Sequence, residues 1–186
     1  MTKEDFNNIW NYYLSLEEDF QSTSRYIEPA GQENVHSFEF AKLLVLACTE
    51  VESVMKQLCL DLEKKACGNI GEYKQIILKH YEKIVTAEVT VSRWNRTIKP
   101  FDGWGEDRLQ WWDAYGKVKH SREANFVDAT YKNAVFALGA LYVLIFYLAV
   151  EKKFQFKDYE SKYLDSKYCH GHLFVQGDRL PDFVEG

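Results

Sequence analysis

Apolar residues recur every three or four positions through most of this chain, and such spacing predicts α-helices whose apolar stripes face a shared core. We predict helices over residues 2–21, 37–65, 69–84, 106–119 and 125–153. Only three prolines and ten glycines interrupt the sequence, which fits long helices with few breaks. The chain is therefore expected to be mainly α-helical, an antiparallel bundle of these five helices.

Polar residues spaced three positions apart mark the starts of three of these helices. In such pairs one side-chain oxygen accepts a free backbone N–H at the helix start, and the second side chain returns the bond. Gly68 is expected to stop the second helix, because glycine readily adopts the left-handed conformation that ends a helix. The pairs are Thr2 with Asp5, Asn69 with Glu72, and Asn125 with Asp128.

The pattern changes in two places outside the helices. Residues 88–94 alternate at every second position, which predicts a short strand near 88–93. Leu173-Phe174-Val175 is a second apolar stretch, and pairing of the two would give a small two-stranded sheet. Aromatic residues are scattered through 154–186 without helical spacing. We therefore expect an irregular C-terminal extension packed on a bundle formed by residues 1–153.

Ala134 to Val150 form a run of seventeen consecutive apolar residues, flanked by Lys132 and Glu151. A run of this length is at the short limit for a membrane span. It also fits a central helix that other helices cover on all sides. We expect the central helix, because the other predicted helices are amphipathic and need a partner surface for their apolar stripes.

Charge and cysteine content narrow the choice of partners. The 186 residues carry a net charge of −5, which argues against bulk electrostatic binding of nucleic acid but leaves room for a local basic site. The cysteines form no Cys-x-x-Cys pair, and the N-terminal residues lack the apolar run of a secretory signal. We expect reduced thiols and a cytoplasmic location. Cys169-His170-Gly171-His172 lacks the second ligand pair of a zinc site, so no metal or cofactor is expected.

Aromatic and cationic residues crowd into 111–122, within and just after the fourth predicted helix. Helical spacing divides this stretch into two faces. The face expected to pack on the core comprises Trp111, Ala114, Tyr115 and Val118. The second face comprises Asp113, Gly116, Lys117 and His120. On this second face, Asp113 and Lys117 are spaced to form an i, i+4 ion pair.

His120 and Arg122 are the candidate chemical groups. Histidine exchanges protons near neutral pH, and arginine offers a fork of donors that matches phosphate oxygens. Together they could act on a phosphate, with Lys117 and Lys119 positioning a nucleic-acid backbone. The alternative is structural, since His120 in a last helical turn complements the helix dipole and Arg122 can pair with a nearby acid.

Residues 111–126 resemble bacterial proteins of the HEPN type, through the pattern Trp111-Trp112-x-x-Tyr115-x-x-Val118-Lys119-His120-x-Arg122-x-x-Asn125-Phe126 followed by an Ala- and Leu-rich helix. The second predicted helix extends the resemblance with Glu39-Phe40-Ala41-Lys42-Leu43-Leu44, Ala47-Cys48-Thr49-Glu50-Val51-Glu52 and Lys56. The resemblance covers roughly residues 37–150 and implies a HEPN-like helical bundle.

This resemblance implies a metal-independent ribonuclease of a toxin–antitoxin or phage-defence system. It further implies a cognate antitoxin as partner and a homodimer with the site at its interface. His120 would then transfer protons and Arg122 would hold the scissile phosphate. The family's nuclease signature places an arginine shortly before the histidine. Here eleven residues separate Arg108 from His120, and Arg122 follows it.

Further side chains are candidates for binding and support. Those expected to contact an RNA or nucleotide substrate are Lys117, Lys119, Tyr115 and Trp112, and those expected to support the site are Glu50, Glu52 and Asp113. A carboxylate close to His120 would orient or charge its imidazole. Glu52 is also spaced to pair with Lys56 at i, i+4 instead. The competing function is a noncatalytic module that binds a protein partner or a ligand, in which the cluster is structural.

Overall fold

The computed structural model describes residues 1–28, 31–91, 96–154 and 174–176. Its described part is mainly helical, as the apolar periodicity predicted. The helices are α1 (Lys3–Thr23), α2 (Phe38–Glu63), α3 (Ile70–His80), α4 (Gln110–Ser121) and α5 (Tyr131–Glu151). Two short 3₁₀ segments, Glu82–Thr86 and Phe126–Asp128, follow α3 and α4. The strands are β1 (Val89–Val91), β2 (Arg96–Ile98) and β3 (Phe174–Gln176).

α5 lies at the centre of the bundle and packs against α1, α2 and α4. By length and composition it could cross a membrane, but 78% of its most apolar window is buried by the rest of the protein. Leu138, Leu141 and Leu144 are fully buried. The apolar run is therefore a core helix, and this packing is consistent with a soluble protein.

β1 is the middle strand of a small antiparallel sheet with the order β2-β1-β3. Val91 pairs with Phe174 and Thr90 with Val175, so the predicted pairing of the two apolar stretches is confirmed. On the other side Thr90 pairs with Thr97, which adds a strand to the predicted two. This extra strand was missed because three residues just before Pro100 are too few to show an alternating pattern.

The first and third helices begin where the sequence predicted. The Thr2 N–H donates to Asp5 Oδ2 at 2.7 Å and the Asp5 N–H donates to Thr2 Oγ1 at 3.1 Å, a complete capping box. Asn69 Oδ1 accepts the Glu72 N–H at 3.1 Å. These bonds satisfy backbone donors that a helix start leaves free.

The predicted start of α5 was wrong. Asn125 makes no capping bond with its side chain. Thr130 caps the helix instead, since its Oγ1 accepts the Asn133 N–H at 3.1 Å. The start is displaced because the Tyr131 N–H donates to the carbonyl of Val35 at 2.8 Å, which holds the chain before α5 against the chain before α2.

Three other helix ends also differ from the prediction. α2 ends at Glu63, five residues before Gly68, because Lys64 itself adopts the left-handed conformation with φ 56°. α3 ends at His80 and gives way to the 3₁₀ segment. α4 begins at Gln110, since the chain before it forms turns in which Gly103 has φ +73° and Trp104 is buried.

Polar contacts fasten the C-terminal end of α5. Lys152 Nζ lies 2.6 Å from Asp61 Oδ1 of α2, and both side chains are largely buried. Gln57 Nε2 donates to the second oxygen of Asp61 at 3.1 Å. Tyr81 donates its hydroxyl to Glu151 at 2.8 Å. Most of the predicted C-terminal extension lies outside the described residues.

Candidate functional site

α4 packs its apolar face on the core as predicted. Trp111, Ala114, Tyr115 and Val118 are all buried. The Trp111 indole Nε1 donates to the carbonyl of Pro100 at 2.8 Å, which fixes the ring and the turn before the helix. The residues between these positions are therefore directed outward at fixed angles around the helix axis.

His120 and Arg122 do not line the same pocket. Arg122 continues the helical backbone with φ −54° and ψ −43°, so the two residues stand about 200° apart around the axis. The Arg122 guanidinium lies 6.0 Å from the centre of the Phe38 ring. His120 is exposed and is not among the residues that line the pocket beside Arg122.

That pocket is an open groove of about 820 Å³ between the start of α2 and the end of α4, here called the α2–α4 groove. Apolar side chains form part of its lining, among them Ala41, Val45 and Val118. Its charged lining residues are Lys42, Lys119, Arg122 and Glu123. A groove of this size, part apolar and part cationic, suits a ligand with a flat apolar part and an anionic part.

The three cations of the groove are engaged differently. Lys42 is paired with Glu39 and Asp19, and the bond with Glu39 raises its pKa. Lys119 Nζ donates to the Tyr115 hydroxyl at 2.9 Å, and this bond raises the pKa of Lys119, so the ammonium stays charged. Among the described residues, no carboxylate lies within ion-pair distance of Arg122. Lys119 and Arg122 are thus the cations available to a ligand.

An exposed aromatic cluster borders the groove. The Phe38 side chain is 73% exposed although it is large and apolar. Its ring lies 4.7 Å from that of Phe126, and the His36 ring meets Phe126 edge-on at 5.2 Å. Sequence patterns gave no functional role to Phe38 or His36, and Phe126 entered only as the last residue of the HEPN-like pattern. Phe38 falls outside the buried stripe of α2, and an apolar residue directly after an N-cap but off the stripe is the signal that pointed to it.

Two of the predicted substrate-contacting residues serve internal contacts. Tyr115 is buried and its hydroxyl orients Lys119. Lys117 pairs with Asp128 at 3.4 Å, in place of the predicted pair with Asp113. The 3₁₀ segment after α4 carries Asp128 back to the helix and so supplies the closer partner.

Trp112, Glu50 and Glu52 make contacts of their own and do not gather around His120. Trp112 is half-buried and meets the Tyr115 ring edge-on at 5.3 Å. Glu52 pairs with Lys56 at 2.8 Å, which confirms the i, i+4 alternative. Glu50 is half-buried, and burial raises its pKa. The pKa of Tyr12, on α1, is raised by partial burial and, to a smaller extent, by the charge of Glu50. In the described part of the chain neither glutamate hydrogen-bonds His120.

The structure describes three of the four cysteines. Cys48, Cys59 and Cys67 are buried free thiols. Burial, with the neighbouring Cys67 thiol, raises the pKa of Cys59 to about 12, so this thiol stays protonated. Within residues 1–28, 31–91, 96–154 and 174–176, no group of acidic, histidine or cysteine side chains could hold a metal ion. Cys169-His170-Gly171-His172 lies outside the described residues.

Comparison of the chain with models of known protein families, with curated proteins and with solved structures found no match. The geometry of α4 and its two neighbouring helices is therefore the ground on which a function is proposed.

Proposed function

We propose that this protein binds single-stranded RNA, or a nucleotide, in the α2–α4 groove. A base stacks on Phe38, and its phosphate is held by Arg122 and Lys119. The observation that carries the proposal is an exposed aromatic ring beside an arginine that has no acidic partner among the described residues. Stacking of a base on an aromatic side chain contributes about 1–3 kcal/mol and tolerates every base.

The charge pattern fits local and not general nucleic-acid binding. The guanidinium of Arg122 offers paired donors for phosphate oxygens. Lys119 adds a second positive charge, and the bond to the Tyr115 hydroxyl holds its ammonium group in place. The chain as a whole is acidic, with a net charge of −5, so only a few phosphates can be held. The affinity falls more steeply with salt concentration for every additional phosphate that is contacted. Because few phosphates are held, we expect the affinity to depend only weakly on salt.

Ribonuclease activity is the catalytic form of this proposal, and the resemblance to HEPN proteins supports it. His120 is exposed and would transfer the proton, without a metal. Because His120 and Arg122 lie on opposite sides of α4, cleavage within the α2–α4 groove would use a homodimer in which His120 of one protomer reaches that groove of its partner. A cytoplasmic toxin controlled by a cognate antitoxin is the biological setting that this form implies.

Fluorescence anisotropy with a labelled oligo(rA) in low salt tests the binding. Arg122→Gln and Phe38→Leu should each weaken binding about tenfold, because each removes one of the two contacts. The control is Lys65→Gln, which removes one exposed cation that does not line the α2–α4 groove. Equal affinity of Arg122→Gln and Lys65→Gln would refute the proposal.

Cleavage is tested on the same oligonucleotide in the presence of a chelator. Degradation that His120→Ala abolishes, with unchanged oligonucleotide affinity, supports the ribonuclease. Binding without degradation by the wild-type protein leaves the binding function and removes the catalytic one.

A protein-interaction module is the second candidate, and the exposed side chains of Phe38 and Val127, 73% and 64% accessible, favour it. Absence of any RNA or nucleotide binding would support that candidate.

A further inference from the structure

A second groove lies on the opposite side of α4. It has a volume of about 660 Å³ and runs between the start of α3, the turn before α4 and the outer face of α4; we call it the α3–α4 groove. Trp112 and Gly116 follow each other by one helical turn along it, and Asp113 and Lys117 do the same. A Cβ atom added to Gly116 would meet nothing within 4 Å, so the groove is open above this residue.

The side chains of this groove combine three kinds of chemistry. Trp112 contributes an aromatic surface, held edge-on against its neighbours Trp111 and Tyr115. Asp113 is exposed and accepts no bond from the described residues, so its carboxylate is available to a ligand. The cations are Lys74 and Arg108, which stand on two different elements.

The other charged side chains of the groove, Asp107 and Lys117, already make contacts within the protein. Asp107 accepts the backbone N–H of Arg108 at 2.7 Å, which shapes the turn. Lys117 is paired with Asp128. Neither Lys74 nor Arg108 has an acidic partner in the part of the chain that the structure describes. An aromatic surface, one free carboxylate and two free cations therefore face one cavity.

This combination matches the parts of a ribonucleotide. A base stacks on an aromatic ring, a carboxylate accepts hydrogen bonds from ribose hydroxyls, and arginine and lysine hold the phosphate. The carboxylate is the discriminating group. In a nucleic-acid strand the 2′-hydroxyl is the ribose donor, so with deoxyribose the carboxylate has no sugar hydroxyl to bind and repels the phosphate without that compensation.

We propose that the α3–α4 groove is a second nucleotide subsite, selective for ribose over deoxyribose. The base packs on Trp112, Asp113 accepts from the ribose 2′-hydroxyl, and Arg108 and Lys74 bind the phosphate. The inference rests on the proposed function in one respect, namely that a single RNA strand occupies both grooves. Lys117 and Lys119 stand about 200° apart around α4 and line the two different grooves, so a strand that passes over the exposed face of this helix contacts both.

The test compares a labelled oligo(rA) with its deoxy counterpart by fluorescence anisotropy. Wild-type protein should bind the ribose form about tenfold more tightly. Asp113→Ala should abolish this preference, mainly by weakening the ribose form. Arg108→Gln should weaken binding of both forms about tenfold. Gly116→Leu should block the groove and weaken both forms, and its folding is checked by its melting temperature and circular dichroism.

The outcomes separate the two grooves. If Arg122→Gln weakens binding while Arg108→Gln, Asp113→Ala and folded Gly116→Leu do not, the second subsite is overturned and the proposed function stands. If the α3–α4 variants weaken binding and Arg122→Gln does not, the second subsite stands and the assignment to the α2–α4 groove fails. If wild-type protein binds neither oligonucleotide, both proposals are overturned. Equal affinity for the two forms overturns the ribose selectivity.

Discussion

The ion pair between Lys152 and Asp61 should contribute more to stability than any exposed pair in the described part of the chain. The Lys152 side chain is 17% exposed and that of Asp61 is 14%, so water screens the attraction between their charges only weakly. Lys152→Met keeps the aliphatic stem but removes the ammonium, and it leaves Asp61 with Gln57 as a neutral partner. Breaking a buried pair costs about 3–5 kcal/mol. Because some water reaches both groups, we expect a loss of about 2–4 kcal/mol.

The measurement is urea unfolding at constant pH, followed by circular dichroism. For a chain of this size the same loss corresponds to a fall in melting temperature of about 4–16 °C. Lys79→Met is the matched control, since Lys79 is 68% exposed and pairs with Glu63 at 2.7 Å. An exposed pair contributes about 0–1 kcal/mol. If the two variants lose the same stability, burial does not determine the strength of the Lys152 contact and the reasoning is refuted.

Two further predictions concern acid and the backbone. Burial raises the pKa of Asp61, but the bonds from Lys152 and Gln57 outweigh it and hold the pKa below 3.8. The resulting stability is present in full above the unfolded-state pKa and is lost as pH falls through the folded one, so the gap between wild type and Lys152→Met should narrow below about pH 4; a constant gap would contradict this. Lys64→Gly should stabilise by about 0.5–1 kcal/mol and Gly103→Ala should destabilise by about 1–2 kcal/mol, because both positions have positive φ; urea unfolding that gives either change the opposite sign would contradict it.

Local sequence patterns predicted the structure correctly where it depends on contacts between residues close together in the chain. The capping box of Thr2 and Asp5, the Asn69 cap and the buried face of α4 all involve residues within one or two turns of each other. The start of α5 was mispredicted because the Tyr131 N–H bonds to Val35, almost a hundred residues earlier. Periodicity in one segment carries no information about such a partner.

In the candidate site, too, helical spacing predicted the features that depend on one helix but not those that depend on contacts between elements. Helical spacing correctly separated the buried and exposed residues of α4, but it was the continuation of helical backbone through Arg122 that placed this residue on the opposite side from His120. The contribution of Phe38 depends on α2 and α4 meeting, which no pattern in either helix reveals. The partner of Lys117 was likewise decided by the 3₁₀ segment after α4 and not by spacing within it.

The enclosure of α5 also governs what happens when this protein is denatured. Its most apolar window has a mean hydropathy of 2.1, and in the native state the surrounding helices shield most of it. A molecule that unfolds far enough to release α5 exposes a long apolar segment with the composition of a membrane span. Heat-denatured chains should then aggregate faster than they refold, so the storage lifetime follows the rate of unfolding and not the equilibrium stability.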